Sequence, residues 1–223
     1  MVGLGFPAGV LMAGIGFGPG DFAIFEIDEP EVRAGEIEAR LLPKLLVVGG
    51  QLAAGLSRVA GRELQPQGLR APRRRGSAPE EALVAFADTL RELRGIPFLA
   101  LGITREQLHA RVVVRGASER SPAMRRAVER ESANLARRGK PFRRLRHYTG
   151  WNGGELPEVA PAGSAAFWQE VAEEIAPPTG NRVAGMDLGV AWSREEARSL
   201  AVGDVLGAFR DLAPLYKLLV NAQ

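Results

Sequence analysis

Two histidines and a set of arginines are the residues of this chain best suited to do chemistry. His109, Arg111 and Arg115 fall on alternate positions of QLHARVVVR, residues 107–115, with Val113 between the last two. Alternate side chains of an extended strand share a face. These three therefore stand together, opposite Leu108, Ala110, Val112 and Val114. Such a row has two readings. It is either the wet side of a half-exposed antiparallel sheet, or the floor of a cleft for an anion, since arginine's planar fork matches carboxylate and phosphate. Two more basic groups belong to the second reading: Arg73 and Arg74 in RAPRRRG (70–76), and Arg146 and His147 in PFRRLRHYTG (141–150). The expected binding set is thus Arg73, Arg74, His109, Arg111, Arg115, Arg146 and His147. Its ligand would be a small anion of the nucleotide or carboxylate type.

Other chemistries are poorly supported. The chain has no cysteine, which removes disulfides, thiolate nucleophiles and cysteine-based metal sites and suits a reducing cytoplasm. His109, His147 and Asp187 are the ingredients of a facial metal triad, but nothing in their spacing joins them. No metal or cofactor is expected, and no residue is assigned a catalytic role. The arginine loop is not a Walker A loop, because G-x-x-x-x-G-K-[ST] is missing and no lysine is near.

Charge gives a second class of function. Net charge is +3 while the pI is about 9.8. The gap comes from arginine: of 29 basic residues only Lys44, Lys140 and Lys217 are lysine. Between Arg111 and Arg146 there are twelve Arg and Lys against Glu119, Glu129 and Glu131. A basic middle segment fits an anionic partner or salt bridges within the chain. Arginines 73–75, 125–126, 130, 137–138, 143–144 and 146 would neutralise phosphates in a nucleic-acid or protein-interaction module. Only Phe142 and Tyr148 lie near them for stacking, so nucleic acid ranks below a small anion. No membrane partner is expected. Met1–Gly20 is apolar but too short and too broken by Gly and Pro to span a bilayer, and no other stretch reads as a span. Residues 1–13 read as a leader, with Met12 an alternative start, and residues 14–223 as one domain.

The elements that must position these residues follow from periodicity. Gly18-Pro19-Gly20-Asp21 is turn and cap chemistry before the aromatic-apolar run DFAIFEI. Ile37, Leu41, Leu45, Val48, Leu52 and Leu56 mark a helix across 30–56, with a kink or a split into two helices expected at Pro43. Residues 65–79 read as a basic loop, and 80–88 as helix or strand. Phe98–Ile103 is apolar throughout, as for a strand covered on both faces, and Thr104–Gln107 turns it into the basic strand. Residues 118–139 read as a helix, with Ser121 as N-cap, Pro122 at the first helical position and Gly139 ending it. A strand follows at 141–150, a helix at 164–175, a buried strand at 183–192 carrying Asp187, and a capping box at Ser193–Glu196. The last helix covers 202–219.

The order of these pieces resembles the YktB family of uncharacterised bacterial proteins. The likeness rests on Gly18-Pro-Gly-Asp-Phe-Ala-Ile-Phe-Glu-Ile, Val84-Ala85-Phe86 after the Arg73–Arg74 pair, Pro97 opening a strand that reaches Leu101-Gly102, and Leu215-Tyr216-Lys217-Leu218. It covers roughly residues 14–219. The chain departs from the family at Phe98, Thr104 and Gln107, where typical members carry more aromatics and histidine. The resemblance implies an α+β fold, a mostly antiparallel sheet with helices packed on it. It also implies a topology similar to the catalytic domain of biotin-protein ligases and class II synthetases. It implies no function. A ligase would need a Gly/Arg-rich adenylate loop followed by a lysine, and none of the three lysines is so placed.

Overall fold

A computed structural model describes residues 14–69, 78–88, 93–138, 142–146, 163–176 and 184–222, with only the backbone of 143–146. The expected leader, the arginine loop with Arg73 and Arg74, and His147 and Tyr148 lie outside the described residues. The chain divides into two compact units. One holds residues 1–90, 100–110 and 191–210; the other holds 91–99, 111–190 and 211–223.

The first unit opens on a short helix α1 (Pro19–Phe22), followed by a 3-10 turn, Ala23–Glu26. Proline occupies the first helical position, where its missing N–H costs nothing. Asp21 Oδ2 accepts from Gly18 N at 2.8 Å and from Lys44 Nζ at 2.6 Å. Helix α2 (Pro30–Glu36) passes through a π-helical turn, Ile37–Leu41, into α3 (Leu42–Ala60). The π turn is the expected consequence of Pro43. It widens the spiral where the proline ring would otherwise meet the preceding turn. Gly61, at φ 73°, then caps α3.

By length and composition alone, Pro30–Ala60 is long and apolar enough to cross a membrane. In the fold, α3 packs on β1 (Gln65–Leu69) and β2 (Glu81–Ala87) through a stripe of Leu45, Val48, Leu52 and Leu56. Gly49 permits this approach: a Cβ there would stand 3.0 Å from Pro66 Cβ and 3.3 Å from Val84 Cγ2. Phe86 meets Phe209 edge to face, with centroids 5.9 Å apart.

Strand β1 corrects the reading of 65–69 as part of a loop. It pairs antiparallel with β2, from Gln65 opposite Ala87 to Leu69 opposite Leu83. Pro66 and Gly68 are poor strand residues in general, but β1 is the edge strand, where a missing N–H breaks no ladder. Strand β3 (Phe98–Thr104) and strand β4 (Gln107–Arg115) form the expected hairpin across Arg105 and Glu106.

In the second unit, α4 (Ser121–Arg137) starts one residue earlier than its cap chemistry suggested: Ser121 is already helical and its Oγ accepts from Ser118 N at 3.0 Å. Strand β5 (Arg143–Arg146) and helix α5 (Ala165–Ile175) follow, the latter capped by Ser164. Helices α4 and α5 pack on each other. Strand β6 (Gly185–Ser193) pairs antiparallel with β5. The Ser193–Glu196 capping box opens the short α6 (Arg194–Ala197), in the first unit. Helix α7 (Val202–Val220) follows, its residues from Asp211 onward belonging to the second unit. The six strands hydrogen-bond in the order β1-β2-β3-β4-β6-β5, and β3, β4 and β6 contribute residues to both units. The fold is α+β, with antiparallel pairing and helices packed on strands.

Candidate functional site

Strand β4 carries the first candidates. His109 belongs to the first unit, is 1% exposed, and sets Nε2 at 3.6 Å from Glu81 Oε1, itself 2% exposed. Space for the imidazole comes from Gly102 on the facing strand, where a Cβ would stand 2.3 Å from His109 Cε1. Arg111 belongs to the second unit. It is 1% exposed and donates from Nη1 to Asp187 Oδ2 at 2.8 Å. This is not the wet face of a sheet: both basic groups are withdrawn from water and each faces a carboxylate. Burying a charge is costly unless it is paired, which accounts for Asp187 on the adjacent strand β6 and for Glu81 on β2, one strand beyond β3 and its Gly102. Arg115 is partly buried and lies 5.8 Å over the Phe98 ring, a cation–π distance.

The register of β5 on β6 places Arg146 opposite Asp187. Of the expected set, Arg111 is the residue seen to engage the Asp187 carboxylate. His109 belongs separately to the first unit. Arg73, Arg74 and His147 fall outside the described residues.

A second basic site lies wholly in the second unit. It is a cavity of about 530 Å³ between α4 and the end of α7. Arg126, Arg130 and Arg138 stand along one wall and Lys217 on the other, over a floor that includes Ala127, Leu135 and Leu218. All four cations are exposed. Among the described residues none of the four has a carboxylate within ion-pair distance. Glu131 is the acid among the cavity's described lining residues, and it accepts from Asn134 Nδ2 at 2.7 Å.

Neighbouring arginines show the contrast. Arg125 is tied to Glu129 Oε1 at 2.7 Å and to Ala176 O, just past α5, at 3.1 Å. Arg126 is turned to the cavity instead. Arg120 fixes the two walls, because its Nη2 donates to Val220 O and to Ala222 O, satisfying carbonyls that the helix end leaves open.

Comparison with known proteins places the chain. A family model described as "Domain of unknown function (DUF1054)" matches residues 17–149. The chain belongs to this family. Two bacterial relatives of the DUF1054 chain agree with the YktB-like order of residues. A UPF0637 protein of Bacillus velezensis is 30% identical over 83 residues, 37% of this chain and 40% of that protein. A UPF0637 protein of Lysinibacillus sphaericus is 30% identical over 88 residues, 40% of this chain and 42% of that protein. The chain thus matches about two fifths of the length of these curated relatives. The DUF1054 match includes α4 but stops before the α7 wall.

The outward arginines of α4 were visible as the polar side of an amphipathic helix. Lys217 was not, because helical phase shows that a residue faces out but not what it faces. Glu81 was missed too: its stretch read equally as helix or strand.

Proposed function

We propose that this DUF1054 chain is a binding protein for an anionic, phosphate-bearing ligand, held by the basic middle segment in the cavity between α4 and α7. One observation carries the reading: Arg126, Arg130, Arg138 and Lys217 surround one concavity with no carboxylate partner among the described residues. Arg126 and Arg130 are one turn apart, and like charges at that spacing weaken a helix by about 0.2–0.5 kcal/mol. A bound anion reverses that penalty.

The sheet residues take a supporting part in this reading. His109 and Arg111 hold buried carboxylates and so organise the strands instead of presenting charge. The ligase- and synthetase-like topology stays a proposal as well, and it brings no reaction with it. A reducing, cytoplasmic location is proposed on the absence of cysteine.

A thermal-shift series tests the reading. Inorganic phosphate, pyrophosphate and nucleotides are compared with acetate and chloride at equal ionic strength. The phosphate ligands should raise the melting temperature, and the R126A/R130A/R138A/K217A variant should lose that rise. An equal rise in the variant would contradict the assignment.

A further inference from the structure

Resting on the anion-binding reading, we infer that the ligand of the α4–α7 groove is a strand of single-stranded nucleic acid, gripped by its phosphates and not read by its bases.

The length of the cation row is the first reason. Arg126 and Arg130 are four residues apart and Arg126 and Arg138 twelve. At a rise of about 1.5 Å per residue these are axial separations of about 6 Å and about 18 Å. One phosphate group can engage the first pair but cannot reach from Arg126 to Arg138. Only an anion with repeating charges satisfies the whole row, and the shorter spacing suits successive phosphates of an extended strand.

The groove's continuity is the second reason. A further cavity, of about 710 Å³, shares Ala123, Arg126, Asn221 and Ala222 with the first and carries the path past the start of α4 to Glu119 and Arg120. A trench that continues past the first cavity accommodates a chain better than a compact molecule.

The lining is the third reason. Leu218, Pro214 and Ala127 give apolar surface between the cations, and Asn134 and Asn221 give amides. Sugars and bases have faces to lay on such surface, and inorganic polyphosphate has none. Among the described residues no aromatic ring lines either cavity, so the described lining supplies no stacking and none of the modest base preference it brings. Binding should therefore be tolerant of sequence and steeply dependent on salt.

Fluorescence anisotropy of a labelled mixed-sequence 12-nucleotide strand, titrated between low and physiological salt, tests this. The inference predicts saturable binding whose log K falls against log salt with a slope of about −2 to −3, since four contacts each contribute about 0.7 on a single strand. R126A, R130A, R138A and K217A should each reduce that slope by about 0.7 and weaken binding several-fold. Circular dichroism should be unchanged, because all four side chains are exposed. A trinucleotide should bind at least tenfold more weakly.

If pyrophosphate binds as tightly as the 12-mer, or a duplex, polyphosphate or poly-glutamate binds more tightly, the nucleic-acid assignment is overturned while the anionic groove stands. If none of these ligands binds, both fall.

Discussion

Arg111 and Asp187 form a buried ion pair, Nη1 to Oδ2 at 2.8 Å, with both residues 1% exposed. Water cannot screen the pair, and neither partner can be left alone in that environment without a large penalty. The charge that most resembled a ligand-binding group in the sequence is thus committed to holding β4 and β6 together.

Breaking the pair from one side should be severe. R111M or D187L alone should lower stability by about 3–5 kcal/mol, because the remaining charge is buried and uncompensated. The double replacement R111M/D187L should recover most of that loss, since matched apolar groups often substitute for a buried pair. Urea denaturation of the three variants measures this. Single variants within about 0.5 kcal/mol of the parent, the usual range for surface changes, would contradict the buried-pair description.

Gly102 should be nearly intolerant of a side chain. A Cβ there meets His109 Cε1 at 2.3 Å, and overpacking of this kind costs about 1–3 kcal/mol. G102A/H109A should cost less than the sum of the two single changes. A double-mutant cycle should show a coupling of at least about 0.5 kcal/mol; strict additivity would mean that the ring and the glycine do not compete for the same space.

Arg120 should matter to the end of α7. R120A removes the donors on Val220 O and Ala222 O and should destabilise by about 1 kcal/mol. Hydrogen exchange should accelerate in the last turn of α7 and leave α3 unchanged. Faster exchange everywhere would indicate a global effect.

The fold was largely legible because its patterns are local. Alternation in 107–115, the apolar run of 98–103 and the capping box at Ser193–Glu196 each specify an element from a few neighbouring residues. The strand β1 was hidden because Pro66 and Gly68 are admissible only at a sheet edge, and edge position is a property of the whole topology. The fate of the basic face of β4 was hidden for the same reason. Glu81 and Asp187 lie far from His109 and Arg111 in sequence, so periodicity shows a charge and its face but not its long-range partner. The groove was half legible: one wall is a helix with outward arginines, and the other is supplied by residues some eighty positions later.

The central claim is that the α4–α7 groove, and not positive charge in general, binds the ligand. Two variants with the same loss of charge separate these: R126A/R130A in the groove, and R40A/R62A, where each arginine already has a carboxylate partner, Glu36 and Asp88. Anisotropy titration of the labelled 12-mer at physiological salt should show binding weakened at least tenfold in R126A/R130A and within twofold of the parent in R40A/R62A. Equal loss in both, or loss in neither, would contradict the account.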